Sequence, residues 1–226
     1  MRNKLLNNFF KLSIILLAAL FIVSCGYTPK IRHSNLTNAK PVSEIKKLTI
    51  GGIEQWALIR GENITNPVLL FLHGGPGTSE MPLLRHYNKD LEKYYTIVMW
   101  DQRGAGKSNS YSVPDSSFSL QQILDDTHEI TNYLKQRFNQ QKIFLAGHSW
   151  GSILGILTIK NYPEDYYAYI GLGQVVNAKK NLSLSYDTIN KLAGSWATKK
   201  EITHMAQFGL SRTIEGDVLL KDAIKM

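Results

Sequence analysis

The chain has 226 residues, 43% apolar, 19% charged and 10% aromatic, a globular composition that excludes disorder, collagen and low-complexity readings. At this length one domain with a sizeable core is expected, and a single cysteine excludes an internal disulfide framework and any CxxC redox or zinc site. The net charge of +8 includes Arg2, Lys4 and Lys11 at the start, and the remaining excess is spread out with no basic cluster interleaved with stacking aromatics, so no nucleic-acid partner is implied.

Residues 1–11 are basic and Asn-rich, and residues 12–23 (LSIILLAALFIV) are uncharged. Twelve residues are too few to span a bilayer but suit the apolar region of a signal peptide. The run ends in Ile22, Val23, Ser24 and Cys25, followed by Gly26. This resembles the lipobox of bacterial lipoproteins, where a small residue precedes the cysteine that accepts a diacylglyceryl group. The resemblance implies a signal peptide over 1–24, lipidation of Cys25, and a protein of the bacterial cell envelope anchored to the membrane by that lipid. The alternative is a core cysteine after an uncleaved anchor helix. Residues 25–45, polar and carrying Pro29 and Pro41, are expected to be a tether.

Residues 46–60 (KKLTIGGIEQWALIR) form two β-rich runs around Gly51-Gly52, the pattern of a tight hairpin. Residues 68–72 (VLLFL), 96–100 (TIVMW) and 142–146 (KIFLA) are short apolar runs expected of strands buried on both faces of a parallel sheet. A crossover helix is expected over 81–93. Another over 119–138 has helical apolar spacing at Leu120, Ile123, Leu124, Ile130, Tyr133, Leu134 and Phe138, with Ser119 placed to cap it. A helix over 151–162 stops before Pro163, and residues 167–176 (YAYIGLGQVV) are the last convincing strand. The order predicts a doubly wound α/β sheet with an antiparallel start, its core over 46–176.

Two loops carry the chemistry. Gly147-His148-Ser149-Trp150-Gly151 fits G-x-S-x-G between a predicted strand and helix. Small residues at Gly147 and Gly151 permit a sharp turn that exposes the Ser149 hydroxyl, and the Trp150 amide at the helix start faces a developing oxyanion. The pentapeptide alone is a weak signal, and its position between strand and helix is what gives it weight. His73-Gly74-Gly75-Pro76-Gly77 follows the strand over 68–72. Its glycines let backbone amides approach an anionic oxygen, with Gly75 the expected second donor. His73 itself suits holding that loop better than serving as a base. A third segment, residues 101–108 (DQRGAGKS), fails the phosphate-loop spacing because position 101 is Asp. It is expected to be a scaffold in which Asp101 pairs with Arg103 and fixes the His-Gly-Gly turn. No metal is implied, since neither HExxH nor HxH spacing occurs.

HGGPG, DQRGAGKS and GHSWGS, in this order, resemble the α/β-hydrolase family of proline iminopeptidases and related serine aminopeptidases over residues 46–177. The resemblance implies Ser149 as nucleophile, Gly75 and Trp150 as oxyanion donors, no cofactor, and removal of N-terminal residues from short peptides or hydrolysis of related amides and esters. It also implies a helical cap beginning at 177, with helices over 182–193 and 199–210. Glu201 and Glu215 are available to grip a substrate amine there, and solvated surface acids are the blander account.

In this fold the triad's acid and histidine follow the nucleophile, after two further strands. Past residue 176 the only apolar β-run is Val218-Leu219-Leu220, and His204 is the only downstream histidine, in a segment patterned as a cap helix. The expectation is therefore a chain that stops inside the cap and is inactive as it stands: an incomplete reading of a longer gene, a fragment completed by a second polypeptide, or a degenerate protein. The competing functions are an esterase or amidase on non-peptide substrates and a non-catalytic surface-anchored remnant.

Overall fold

The computed structural model describes residues 40–110, 113–193 and 198–200. The signal segment, Cys25, most of the tether, Glu201, His204, Glu215 and residues 218–220 lie outside the described residues. Strand β1 (Val42–Ile50) begins four positions before the expected start and pairs antiparallel with β2 (Ile53–Gly61) across Gly51-Gly52. Both glycines have positive φ, +55° and +75°, the geometry whose twist matches that of the flanking strands.

Strands β3 (Val68–Leu72), β4 (Thr96–Asp101), β5 (Ile143–His148) and β6 (Tyr166–Leu172) complete a sheet of order β1-β2-β4-β3-β5-β6. The last four are parallel, and β2 meets β4 antiparallel. Every residue of β3 and β4 is buried, which explains the continuous apolar runs Val68–Leu72 and Ile97–Trp100.

Among the described residues, helices α1 (Met81–Tyr87), α2 (Leu120–Arg137), α3 (Trp150–Asn161) and α4 (Ala178–Ala193) connect and follow these strands. The step from β3 to β4 runs one way along the sheet, and the step from β4 to β5 returns past β3. Right-handed crossovers taken in opposite directions put their helices on opposite faces. Accordingly α2 and α3 close one face with Leu70, Leu72, Val98, Trp100 and Leu145. On the other face, α1 contributes Met81 and Leu84 over Leu69, Phe71, Ile97 and Met99. Ser119 caps α2, its hydroxyl accepting from the Gln122 amide at 3.1 Å.

Besides the start of β1, three boundaries differ from the sequence expectation by four or more positions. The helix expected over 81–93 breaks at Asn88 (φ −111°, ψ 23°), and a 3-10 turn over Lys89–Lys93 follows α1. That turn carries Glu92 inward, where its carboxylate takes two bonds from the Arg60 guanidinium, 2.6 Å from Nε and 3.1 Å from Nη2, with both side chains buried. Strand β6 ends at Leu172 rather than 176, because Gly173 turns the chain at φ +58° and the Val175 amide donates to Ser152 Oγ at 3.0 Å. The helix after it starts at Ala178 instead of 182.

Candidate active site

Strands β3 and β5 are neighbours, and the sheet changes winding direction beside them. The crevice at the carboxyl ends of such strands is where open α/β sheets place their ligand sites. The two glycine-containing loops emerge there side by side.

Ser149 links β5 to α3 with φ +51° and ψ −114°. A non-glycine residue held there costs roughly 1–3 kcal/mol, so the surrounding structure must fix it. The fixing contacts are explicit: the Ser149 amide donates to the Leu172 carbonyl at 2.9 Å, and its own carbonyl accepts from the Ser152 amide, also at 2.9 Å, and from Ser152 Oγ at 2.6 Å. Ser149 is the N-cap of α3, yet its side chain makes no capping bond, so the half-buried hydroxyl is not spent on the helix. Gly147 and Gly151 are required by close approach. A Cβ at Gly147 would land on the Gly151 carbonyl, and one at Gly151 would land on the Leu72 carbonyl.

Gly75, Ser149 and Trp150 are brought together around a pocket of about 140 Å³, which Ile153, Val175, Ala178 and Asn181 also line. Gly75 has φ +113°, and a Cβ there would sit 2.7 Å from the Gly77 nitrogen and 2.9 Å from that of Thr78. The loop therefore needs glycine for its tight backbone turn.

His73 is 2% exposed, with both ring nitrogens engaged. Nδ1 lies 2.8 Å from the Gly74 carbonyl, and Nε2 accepts from the Gln102 amide at 3.1 Å. This pattern assigns a neutral ring protonated on Nδ1. Burial pushes its pKa below the ordinary histidine value, against smaller opposing contributions from the Gly74 hydrogen bond, Asp101 and Glu80. His73 holds the loop.

The expected Asp101–Arg103 pair is not formed. Arg103 turns to α2 instead, where Nε and Nη2 each lie 3.0 Å from the Asp126 carboxylate and Nη2 reaches the Gly51 carbonyl at 2.9 Å. Asp101 accepts from the Lys107 amide at 2.8 Å, closing its own loop. Asp126 is fully buried, and a carboxylate so placed needs a cation beside it, which Arg103 supplies. The residue that fixes the His-Gly-Gly turn is Gln102, between them. Besides its amide bond to His73, its Nε2 donates to the His73 carbonyl at 3.4 Å and its Oε1 accepts from Trp150 Nε1 at 3.3 Å. Gln102 thus joins the two loops, and sequence spacing alone held no signal for it.

Sequence reasoning also passed over His148 and Glu80. The His148 Nδ1 and Glu80 Oε1 atoms lie 2.5 Å apart, with side chains 46% and 12% exposed. Among the described residues no cluster of three metal-ligating side chains occurs, and no helix is long and apolar enough to cross a membrane.

A mostly parallel sheet flanked by helices, with a serine on the strand-to-helix turn opposite a glycine loop, defines an α/β hydrolase. The chain belongs to the family described as serine aminopeptidase, S33, which it matches over residues 63–222. Similar proteins include the probable aminopeptidase YbaC of Bacillus subtilis (strain 168), 42% identical over 156 residues, covering 69% of this chain and 49% of that one. The proline iminopeptidase of Lactobacillus helveticus is 32% identical over 130 residues, covering 55% of this chain and 41% of its own length. The chain thus spans about half the length of the curated relatives it matches, or less. Among solved structures, the fold is shared with a proline iminopeptidase-related protein from Thermus thermophilus, at TM-score 0.55 and 22% identity over 81% of this chain and 56% of that one. An epoxide hydrolase mutant from Vigna radiata shares it at TM-score 0.52 and 24% identity, over 76% and 54%.

Proposed function

We propose that this chain carries the nucleophile of a serine hydrolase of the proline iminopeptidase type, an aminopeptidase that releases N-terminal residues from small peptides through an acyl-enzyme. One observation carries this reading: Ser149, at positive φ on the β5–α3 turn, borders the same pocket as Gly75 and Trp150. In the proposed reaction the Ser149 Oγ attacks the scissile carbonyl. The Gly75 and Trp150 amides donate to the oxyanion, assisted by the positive end of α3. The leaving amine takes the proton that Ser149 released to a general base, and water then cleaves the acyl-enzyme.

Among the described residues no hydrogen bond joins a histidine to the Ser149 hydroxyl: His73 and His148 are engaged as above, His128 Nε2 meets the Asn132 amide at 3.0 Å, and His86 packs edge-on to Tyr87. We therefore assign the triad's acid and base to residues outside those described. Their loss would remove roughly four orders of magnitude of rate. The proposal extends to the envelope: Cys25 carries the lipid that holds the protein at the membrane.

Assays of the full-length protein on prolyl and other aminoacyl anilides beside simple esters test the substrate class. Preference for the anilides, lost in Ser149→Ala, is expected. Ester turnover alone would move the assignment to an esterase. Membrane fractionation unchanged by Cys25→Ala would overturn the anchor.

A further inference from the structure

The pair between His148 and Glu80 has no part in the chemistry above, yet it sits where the two halves of the proposed oxyanion site meet. His148 immediately precedes Ser149 on the elbow, and Glu80 ends the glycine loop at the N-cap of α1. The two residues are 68 positions apart and touch only because the loops are stacked. Gly74 is packed against both: a Cβ there would lie 3.2 Å from Glu80 Oε1, 3.2 Å from His148 Nδ1 and 3.4 Å from the His148 carbonyl. The loop backbone therefore passes directly over the pair one residue before the Gly75 amide. At its other end the loop is held by Gln102 against the His73 ring.

We propose that Glu80 and His148 are positioning residues that latch the glycine loop onto the nucleophile elbow, fixing the Gly75 amide relative to the Trp150 amide. The inference rests on the reading of Ser149 as nucleophile with those amides as oxyanion donors. Donors fixed before reaction need no reorganisation as charge develops, which is why a small displacement of one is costly. With Nδ1 protonated, the imidazole donates to Glu80, and a glutamine oxygen at position 80 accepts the same bond.

Two measurements on the full-length protein test the latch. Hydrogen exchange of the peptide spanning residues 73–80 reads the loop without needing catalysis. Glu80→Ala should speed its exchange about tenfold, as expected for local opening, and Glu80→Gln should restore it to within about threefold of wild type. The second-order rate of fluorophosphonate labelling should fall about tenfold in Glu80→Ala and recover in Glu80→Gln, with the cost in the inactivation step rather than in probe affinity. Unchanged exchange in Glu80→Ala overturns the latch whatever the labelling shows. Absent labelling of the wild type overturns the serine reading instead, while the exchange result still decides whether the pair holds the loop.

Discussion

The two faces of the sheet are built differently. The face under α2 and α3 is closed: Leu70, Leu72, Trp100, Leu145, Ile130, Leu134 and Leu154 are at most 1% exposed, and the buried Arg103–Asp126 pair ties α2 to the β1–β2 turn. The opposite face is covered, among the described residues, by the seven-residue α1 and the 3-10 turn after it. An apolar groove of about 240 Å³ remains there, lined by Leu69, Phe71, Leu84 and Ala146 and reaching Ile170 and Leu172 of β6, the last strand among the described residues. Those two are 44% and 42% exposed. The contrast teaches where the site draws its rigidity. Ser149 and Trp150 sit at the start of α3 on the closed face, so the strained elbow is backed by the best-packed part of the molecule.

Substitutions on each face should separate them. The largest loss is expected for Asp126→Ala, which leaves the Arg103 guanidinium buried without its carboxylate; urea unfolding should show about 3–5 kcal/mol of destabilisation. A matched pair comes next: Leu70→Ala on the closed face should cost about 2–5 kcal/mol, whereas Leu172→Ala on the groove should cost less than about 1 kcal/mol. Equal losses would break the comparison.

A pH series probes the seam between the faces. The lowered pKa of His73 means the unfolded chain takes up protons that the folded chain resists. Its contribution is therefore fully present above the ordinary histidine pKa and declines as pH falls from there toward the depressed folded value. In thermal melts the gap between wild type and His73→Gln should narrow from pH 7.5 to pH 5, and a constant gap would contradict the assignment. The smallest effect on stability is expected from Ile170→Ser, within about 0.5 kcal/mol. Its readout is urea unfolding, and a loss above about 1 kcal/mol would contradict the exposure of Ile170 on that face.

Much of this was legible in the sequence because it depends on local pattern. Continuous apolar runs marked β3 and β4, the double glycine marked the hairpin, and G-x-S-x-G after a strand marked the elbow. What escaped depends on distant partners. Arg103 finds Asp126 in α2, Gln102 reaches His73 and Trp150, and Glu92 reaches Arg60; no spacing rule couples such positions. Where β6 ends was missed for a related reason: the apolar pattern continues through Val175 and Val176, but Gly173 and the Ser152 hydroxyl turn the chain away from the sheet.

The most direct test of the central claim is covalent labelling of the full-length protein with a fluorophosphonate, followed by peptide mapping. A single adduct on Ser149, absent in Ser149→Ala, is the expected result. An adduct elsewhere, labelling that survives the substitution, or a folded full-length protein that takes no label would contradict the assignment of Ser149 as the nucleophile.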